Sequence, residues 1–291
     1  MVVIKLIKYL IQAIVIYLLF ITIKIIGLNF SRKIFASLFN KIGPLVKSEK
    51  IINDNLEKFL GTKNIDLKKK IKKKMWNNYG KIFVEYLYLN KFRDESVHVK
   101  IRGKEILEEI KKNDKPVIFV SGHFANFELM SMELTKKNIN LATIYRPLNN
   151  FFLNPFMEYL RKKYICRNQI KKGLPGVKEA IQYIKDNFSV ALMIDQRLSE
   201  GKRLPFFENM ALTTTLPAQL ALKFNLDIVP IYILRDANNN FIIEVDKPIK
   251  INKNDKSEEN KLNISIKLNS VLEKMISEDP GQWIWTHNRW K

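Results

Sequence analysis

The chain has 291 residues, 50 of them Lys or Arg against 29 Asp or Glu, for a formal net charge of +21. That length allows one large domain or two small ones, and the charge points to an anionic partner: nucleic acid, an acidic protein or anionic lipid. The single cysteine, Cys166, excludes a disulfide within the chain and any cysteine-rich metal site, and is expected as a small buried residue in a reducing compartment.

The charge is partly a matter of composition. Only ten of the basic residues are arginine, and Ile and Asn are abundant. In so lysine-rich a chain Arg146, Arg197 and Arg289 carry more information than any one lysine. Tyr9 to Ile23 is apolar except for Gln12 and Thr22 and is bracketed by Lys8 and Lys24. As a helix it reaches only ~22 Å, short of a ~30 Å hydrocarbon core, so it either spans with snorkelling lysines or lies partly embedded. No small-residue cleavage site follows, which argues against a secretory signal peptide. Lys24, Arg32, Lys33, Lys41 and Lys47 on its C-terminal side place the body of the protein in the cytoplasm.

Residues 31–47 read as a basic amphipathic continuation ending near Gly43-Pro44. Residues 49–60 and 66–89 read as helices, the second with Asp66 as N-cap and with Trp76, Tyr79, Phe83 and Leu87 at core spacing. The lysine run 68–74 is a solvated face or a contact to anionic headgroups. Beyond residue 110 strands are expected at 116–121, 141–145, 190–195, 228–234 and 241–246. Helices are expected at 124–137, 149–163, 175–187, 214–224 and 259–277. The alternation implies an α/β sandwich around a mainly parallel sheet, with 228–246 as a late hairpin turning at 236–240. The polar stretch 252–260 reads as a surface loop. The organisation expected is an anchor (1–28), a basic helical region (29–110) and an α/β core (111–291), forming one unit.

The segment Ser121-Gly-His-Phe-Ala-Asn-Phe-Glu128 closes the first apolar strand. His123 is one of only three histidines. On a regular helix five residues turn through 500°, so His123 and Glu128 converge only if His123 lies in a turn before the helix. A carboxylate on one imidazole nitrogen leaves the other to take a proton, which is the equipment for activating a hydroxyl. The same spacing also suits a histidine at a helix start beside an ordinary surface glutamate. Two further polar blocks fall at strand ends, where open α/β sheets bind ligands: Tyr145-Arg146-Pro147 and Asp195-Gln196-Arg197. Arg146 can pair with a phosphate or steady an oxyanion, as can amides near Gly122.

The strings GHFANFE, YRPLNN with Asn154-Pro155 after it, IDQRLSEGKRLPFFEN, TTT followed by Ala221, and the ending WIWTHNRWK occur in an order that resembles the late acyltransferases of lipid A biosynthesis. These are the lauroyl/myristoyl type within the lysophospholipid acyltransferase-like superfamily. The resemblance covers about residues 116–291, and the apolar N-terminus agrees with it. The FPEGTR block of glycerolipid acyltransferases is absent. The family commonly has Gly where this chain has Glu208, and Asp or Tyr where it has Arg197, differences expected to touch acceptor or chain-length preference.

The resemblance implies acyl transfer from acyl carrier protein to a hydroxyl of a lipid A precursor at the cytoplasmic face of the bacterial inner membrane. His123 would be the general base and Glu128 would hold its imidazolium. Arg146, Asp195, Gln196, Arg197 and Arg289 are the candidate substrate contacts, and neither cofactor nor metal is expected. The nearest alternative is a phospholipid or other glycolipid acyltransferase with the same pair; the remote one is a non-catalytic, basic, membrane-tethered binding protein. No zinc finger, RRM signature or basic helix-turn-helix supports a nucleic-acid partner. The block 282–291, with Trp283, Trp285 and Trp290, reads either as a plug closing the core or as a rim presenting His287 or Arg289.

Overall fold

The computed structural model describes residues 2–61 and 64–291; Met1, at the head of the expected anchor, lies outside them. Two long helices open the fold, α1 (Val2–Ile26) and α2 (Leu28–Val46). Gly27 between them takes φ 86°, a left-handed value that glycine reaches without a Cβ penalty and that breaks the helix there. The second helix continues through Pro44 to Val46 rather than ending at Gly43. α3 (Glu49–Leu60) and α4 (Ile65–Glu85) are capped by Ser48 and Asn64, whose side-chain oxygens accept from the amides of Ile51 and Leu67. Asp66, the expected cap, instead lies in the first turn, where its charge meets the positive end of the helix dipole. Trp76 and Leu87 are buried, and Tyr79 and Phe83 pack on the core.

The short α5 (Leu89–Asp94) leads into β1 (Val99–Arg102), α6 (Lys104–Asn113), β2 (Ile118–Ser121), α7 (Glu128–Lys136) and β3 (Leu141–Tyr145). α8 (Asn154–Leu160) is prolonged by a π-helical turn, Arg161–Ile165, and followed by β4 (Asn168–Lys171), α9 (Leu174–Lys185) and β5 (Ser189–Met193). The hairpin β6 (Lys202–Phe206) and β7 (Asn209–Thr213), α10 (Leu216–Phe224), β8 (Ile228–Arg235), β9 (Phe241–Val245) and α11 (Glu258–Glu278) complete the chain.

Seven strands form one sheet in the order β1-β9-β8-β2-β5-β3-β4. Every pairing is parallel except β8 with β9, the hairpin expected at 228–246. Asp236 closes its turn by accepting from the amides of Asn238 and Asn240. The α/β class with a mainly parallel sheet flanked by helices is thus as expected. The strands β1, β4, β6 and β7 are additional to those expected, and α5 and α6 fall mostly within the region expected to be helical without having been placed as separate helices. Those strands have four or five residues each, too few for a periodic signal, and β1 and β4 are edges. β1 joins the sheet from within the region expected to be helical.

One buried ion network ties the helical layer to the sheet. The Glu85 carboxylate accepts from Arg32 Nε of α2 (2.8 Å), from Arg235 Nη1 and Nη2 (the latter 2.9 Å) at the end of β8, and from Asn126 Nδ2 (3.0 Å). The guanidinium charges hold the Glu85 carboxyl below its ordinary pKa although burial acts strongly the other way.

Candidate active site

β2, β5 and β3 are neighbours running in the same direction, so their C-terminal ends form one rim. His123 lies in the turn after β2, outside the helix, and α7 begins only at Glu128. The turn is held by the C-terminal block: Phe124 forms a bridge with Trp283, and the Ala125 amide donates to Gln282 O (3.0 Å). A side chain at Gly122 would meet the Phe124 ring at 2.8 Å and Asp195 Cβ at 3.3 Å. Glycine is required there by close approach.

The carboxylate that holds the imidazole is Asp195, not Glu128. Asp195 Oδ1 accepts from His123 Nδ1 (2.8 Å); Oδ2 accepts from the His123 amide (2.8 Å) and from Trp283 Nε1 (2.8 Å). With Nδ1 donating to a carboxylate, the neutral ring carries its proton on Nδ1 and leaves Nε2 as a base. Nε2 makes no hydrogen bond among the described residues, and the side chain keeps 19% of its surface exposed. Burial pulls the His123 pKa down, but the Asp195 charge and hydrogen bond, with Glu128 adding at longer range, carry it above its ordinary value. Burial would raise the Asp195 carboxyl; its pairing with His123 and the two further N–H bonds outweigh that and depress it to about 2.

Glu128 holds another partner. Its Oε1 accepts from Arg161 Nε (2.8 Å) and Nη2 (2.6 Å) and from the Tyr86 hydroxyl. Arg161 comes from the π-helical turn, lies against the Tyr145 ring (5.4 Å), and leaves Nη1 buried without a partner among the described residues. Burial would lower its pKa, but Glu128 raises it above the ordinary arginine value. This cluster is near enough for the Glu128 and Arg161 charges to act on the imidazole, the first raising its pKa and the second lowering it.

Of the other candidates, Arg146 occupies the same rim after β3 but is exposed, and among the described residues no side-chain hydrogen bond joins it to the site. Gln196 and Arg197 follow Asp195 and are half-buried; Arg197 reaches only Ser199 Oγ, at 3.5 Å. Arg289 is not at the rim. It is fully buried, stacks on Phe206 (4.7 Å), and donates to Leu212 O (2.7 Å) and Thr213 Oγ1 (2.8 Å). Burial lowers its pKa to about 10. Trp285 and Trp290 likewise close the core, donating to Pro280 O and Phe206 O. His287 is half-buried, its Nδ1 has no partner among the described residues, and burial lowers its pKa.

Three site residues escaped the sequence reading: Arg161, Tyr86 and Trp283. A signal existed for two of them. Arg161 is one of the few arginines in a lysine-rich chain, and a tryptophan bound for the interior must find an acceptor for its N–H. Glu208 sits in the β6–β7 turn at φ 58°, a left-handed value that glycine reaches without a Cβ penalty.

The family model for bacterial lipid A biosynthesis acyltransferases matches residues 3–291. The chain is also similar to "Lipid A biosynthesis acyltransferase 2" of Shigella flexneri, 25% identical over 187 residues. That alignment covers 63% of this chain and 58% of the relative, so the chain spans less than two thirds of the length of the relative it matches.

Proposed function

The chain belongs to the bacterial lipid A biosynthesis acyltransferase family, and on that premise we propose that it transfers a fatty acyl group from acyl carrier protein to a hydroxyl of a lipid A precursor. The reaction runs at the cytoplasmic face of the inner membrane. The observation that carries the reading is the triple N–H grip of Asp195, which leaves His123 Nε2 as an oriented, unoccupied base.

In the mechanism we infer, Nε2 takes the proton of the acceptor hydroxyl as its oxygen attacks the thioester carbonyl. Asp195 stabilises the imidazolium by direct contact, and Glu128 adds negative potential from further away while fixing the Arg161 fork. The tetrahedral oxyanion needs a donor. The amides of His123, Phe124 and Ala125 are already committed to Asp195, Gly122 O and Gln282 O. The unpartnered Arg161 Nη1 is therefore the candidate, ahead of Arg146. Collapse expels the thiolate, which recovers the proton from His123. Transfer is direct, from donor to acceptor. Cys166 is buried, burial raises its pKa, and its thiol is tied to Leu141 O. The basic surface suits both the acidic carrier protein and acceptor phosphates.

The test is mass spectrometry of lipid A from cells carrying the wild-type protein or His123→Ala, with purified protein assayed on acyl carrier protein and coenzyme A thioesters. We expect one added acyl chain with the wild type and none with the variant, and faster transfer from the carrier protein. A folded His123→Ala protein with near-normal turnover would refute the base assignment. Acylation of phospholipid in place of lipid A would establish the alternative acceptor class.

A further inference from the structure

α1 is long and apolar enough to cross a membrane, yet one of its faces is occupied by protein over most of its length. At the C-terminal end, Ile23 O accepts from Ser31 Oγ (3.3 Å) and the Tyr88 hydroxyl (3.1 Å). Further back, Phe20 packs on Phe83 and Phe156, and Tyr17 donates to Phe152 O (3.0 Å). Near the other end Tyr9 meets the Phe151 ring, and its carbonyl accepts from Asn150 Nδ2 (2.8 Å). From Ile23 to Tyr9 is fourteen residues, or ~21 Å along the helix. The opposite face presents Ile7, Ile11, Leu18, Ile21 and Ile25, each more than half exposed.

The segment that meets Tyr9 decides the orientation. It is the loop between β3 and α8, irregular backbone that also carries exposed Arg146 and Asn149. If α1 stood upright with Lys24 at one surface, this loop would lie ~20 Å deep in a hydrocarbon layer ~30 Å thick. Irregular, lipid-facing backbone is not tolerated there, because each unsatisfied N–H or C=O costs several kcal/mol, and a buried guanidinium costs more. The same loop exposes Leu148 and Phe151, which suit the headgroup–acyl boundary rather than water.

We propose that α1 lies in the plane of one leaflet, with its isoleucine-rich face toward the acyl chains and its Tyr9–Tyr17–Ile23 face against the protein. The occupant of the apolar face is thus a lipid surface. Lys5, Lys8 and Lys24, all exposed, supply attraction to anionic headgroups. The inference rests on the membrane-bound reading above and adds a consequence to it. The loop on α1 grows from β3, beside the strand that leads to Asp195, so the rim of the site is held at the bilayer surface where a lipid acceptor's hydroxyls lie.

The experiment uses full-length protein in vesicles of phosphatidylethanolamine and phosphatidylglycerol. A nitroxide is placed, one at a time, at Ile4→Cys, Ile11→Cys, Leu18→Cys and Ile25→Cys, with Cys166→Ala as background. These positions are seven apart and share one helix face. An in-plane helix gives all four a similar shallow depth, ~5–10 Å below the headgroups. Overturning the proposal would take a depth profile with Ile11 and Leu18 deep and Ile4 and Ile25 at opposite surfaces, ~31 Å apart. Flotation with the vesicles is scored separately: protein that binds but shows the spanning profile refutes only the in-plane orientation, whereas protein that fails to float refutes the membrane reading as well.

Discussion

Replacing Asp195 by Asn keeps the shape of the side chain and removes one acceptor oxygen, with consequences that follow from its three partners. The amide can turn in two ways. With its oxygen at the Oδ2 position it keeps the bonds from the His123 amide and Trp283 Nε1 and presents NH2 to Nδ1. The imidazole must then carry its proton on Nε2, and the base is lost. With its oxygen at the Oδ1 position the useful tautomer survives, but two buried N–H donors face an NH2 group. Leaving each unpaired costs about 1–3 kcal/mol, so the first arrangement is favoured by roughly 2–6 kcal/mol before the smaller tautomer preference is counted. The imidazolium also loses its contact charge. The expected loss is ~10²- to 10⁴-fold in kcat, or ~3–5.5 kcal/mol, in line with the ~10⁴-fold effect of the equivalent change in a serine protease triad. The assay is single-turnover acyl transfer across pH on folded protein. In the wild type the rate should rise as pH passes through the raised His123 pKa, since the neutral ring is the active form. In the variant that limb should move to lower pH, because burial, which lowers the pKa, loses its main opponent. A folded Asp195→Asn protein within tenfold of wild-type turnover, with an unmoved limb, would refute the argument.

The same pair makes a stability signature. The His123 contribution is complete below its unfolded pKa of about 6.5 and fades as pH rises through the raised folded value; that of Asp195 is complete above about 3.8 and fades as pH falls toward about 2. The difference in urea stability between wild type and Asp195→Asn should therefore be largest between about pH 4 and 6.5. Glu85→Gln strips the shared counter-charge from buried Arg32 and Arg235 and should cost about 3–5 kcal/mol in urea denaturation; a loss under 1 kcal/mol would show that the arginines find solvent or another partner. Arg289→Lys loses the fork to Leu212 and Thr213 and should lower stability by about 2–3 kcal/mol while the acceptor KM of folded protein stays put. A raised KM with unchanged Tm would restore Arg289 to the site. Glu208→Gly relieves a left-handed backbone and should stabilise by roughly 1 kcal/mol with unchanged acceptor preference, checked by Tm and by product analysis.

Much of this protein was legible from local pattern. The apolar run of α1, the alternation of β2, β3, β5 and β8 with helices, and the Gly-His turn after β2 are short-range signals. A strand buried on both faces must be continuously apolar, and glycine gives a turn its freedom at low steric cost. The short strands β1 and β4 left no such trace, because four residues at a sheet edge show neither period nor a long apolar run. Trp76 and Leu87 were legible as core because helical spacing alone sets which side they face.

The choice among polar partners was not legible, because it depends on strand order. Asp195 stands 72 residues from His123, and it is adjacent only because β5 lies beside β2 in the sheet. Glu128 is near in sequence, yet α7 starts at that residue and turns its carboxylate toward Arg161 and Tyr86. For Arg289 the sequence left a core plug and a rim contact both open, and the packing of the C-terminal block under the β6–β7 hairpin buried it. The sequence by itself determined the longer helices, the apolar strands, the fold class and the turn that presents His123, since these rest on period, apolarity and backbone freedom within a few residues. Only the tertiary structure decided which carboxylate holds the imidazole and which arginine holds Glu128, because hydrogen-bond partners are selected by distances of about 3 Å between groups that the chain brings together only when the sheet is assembled.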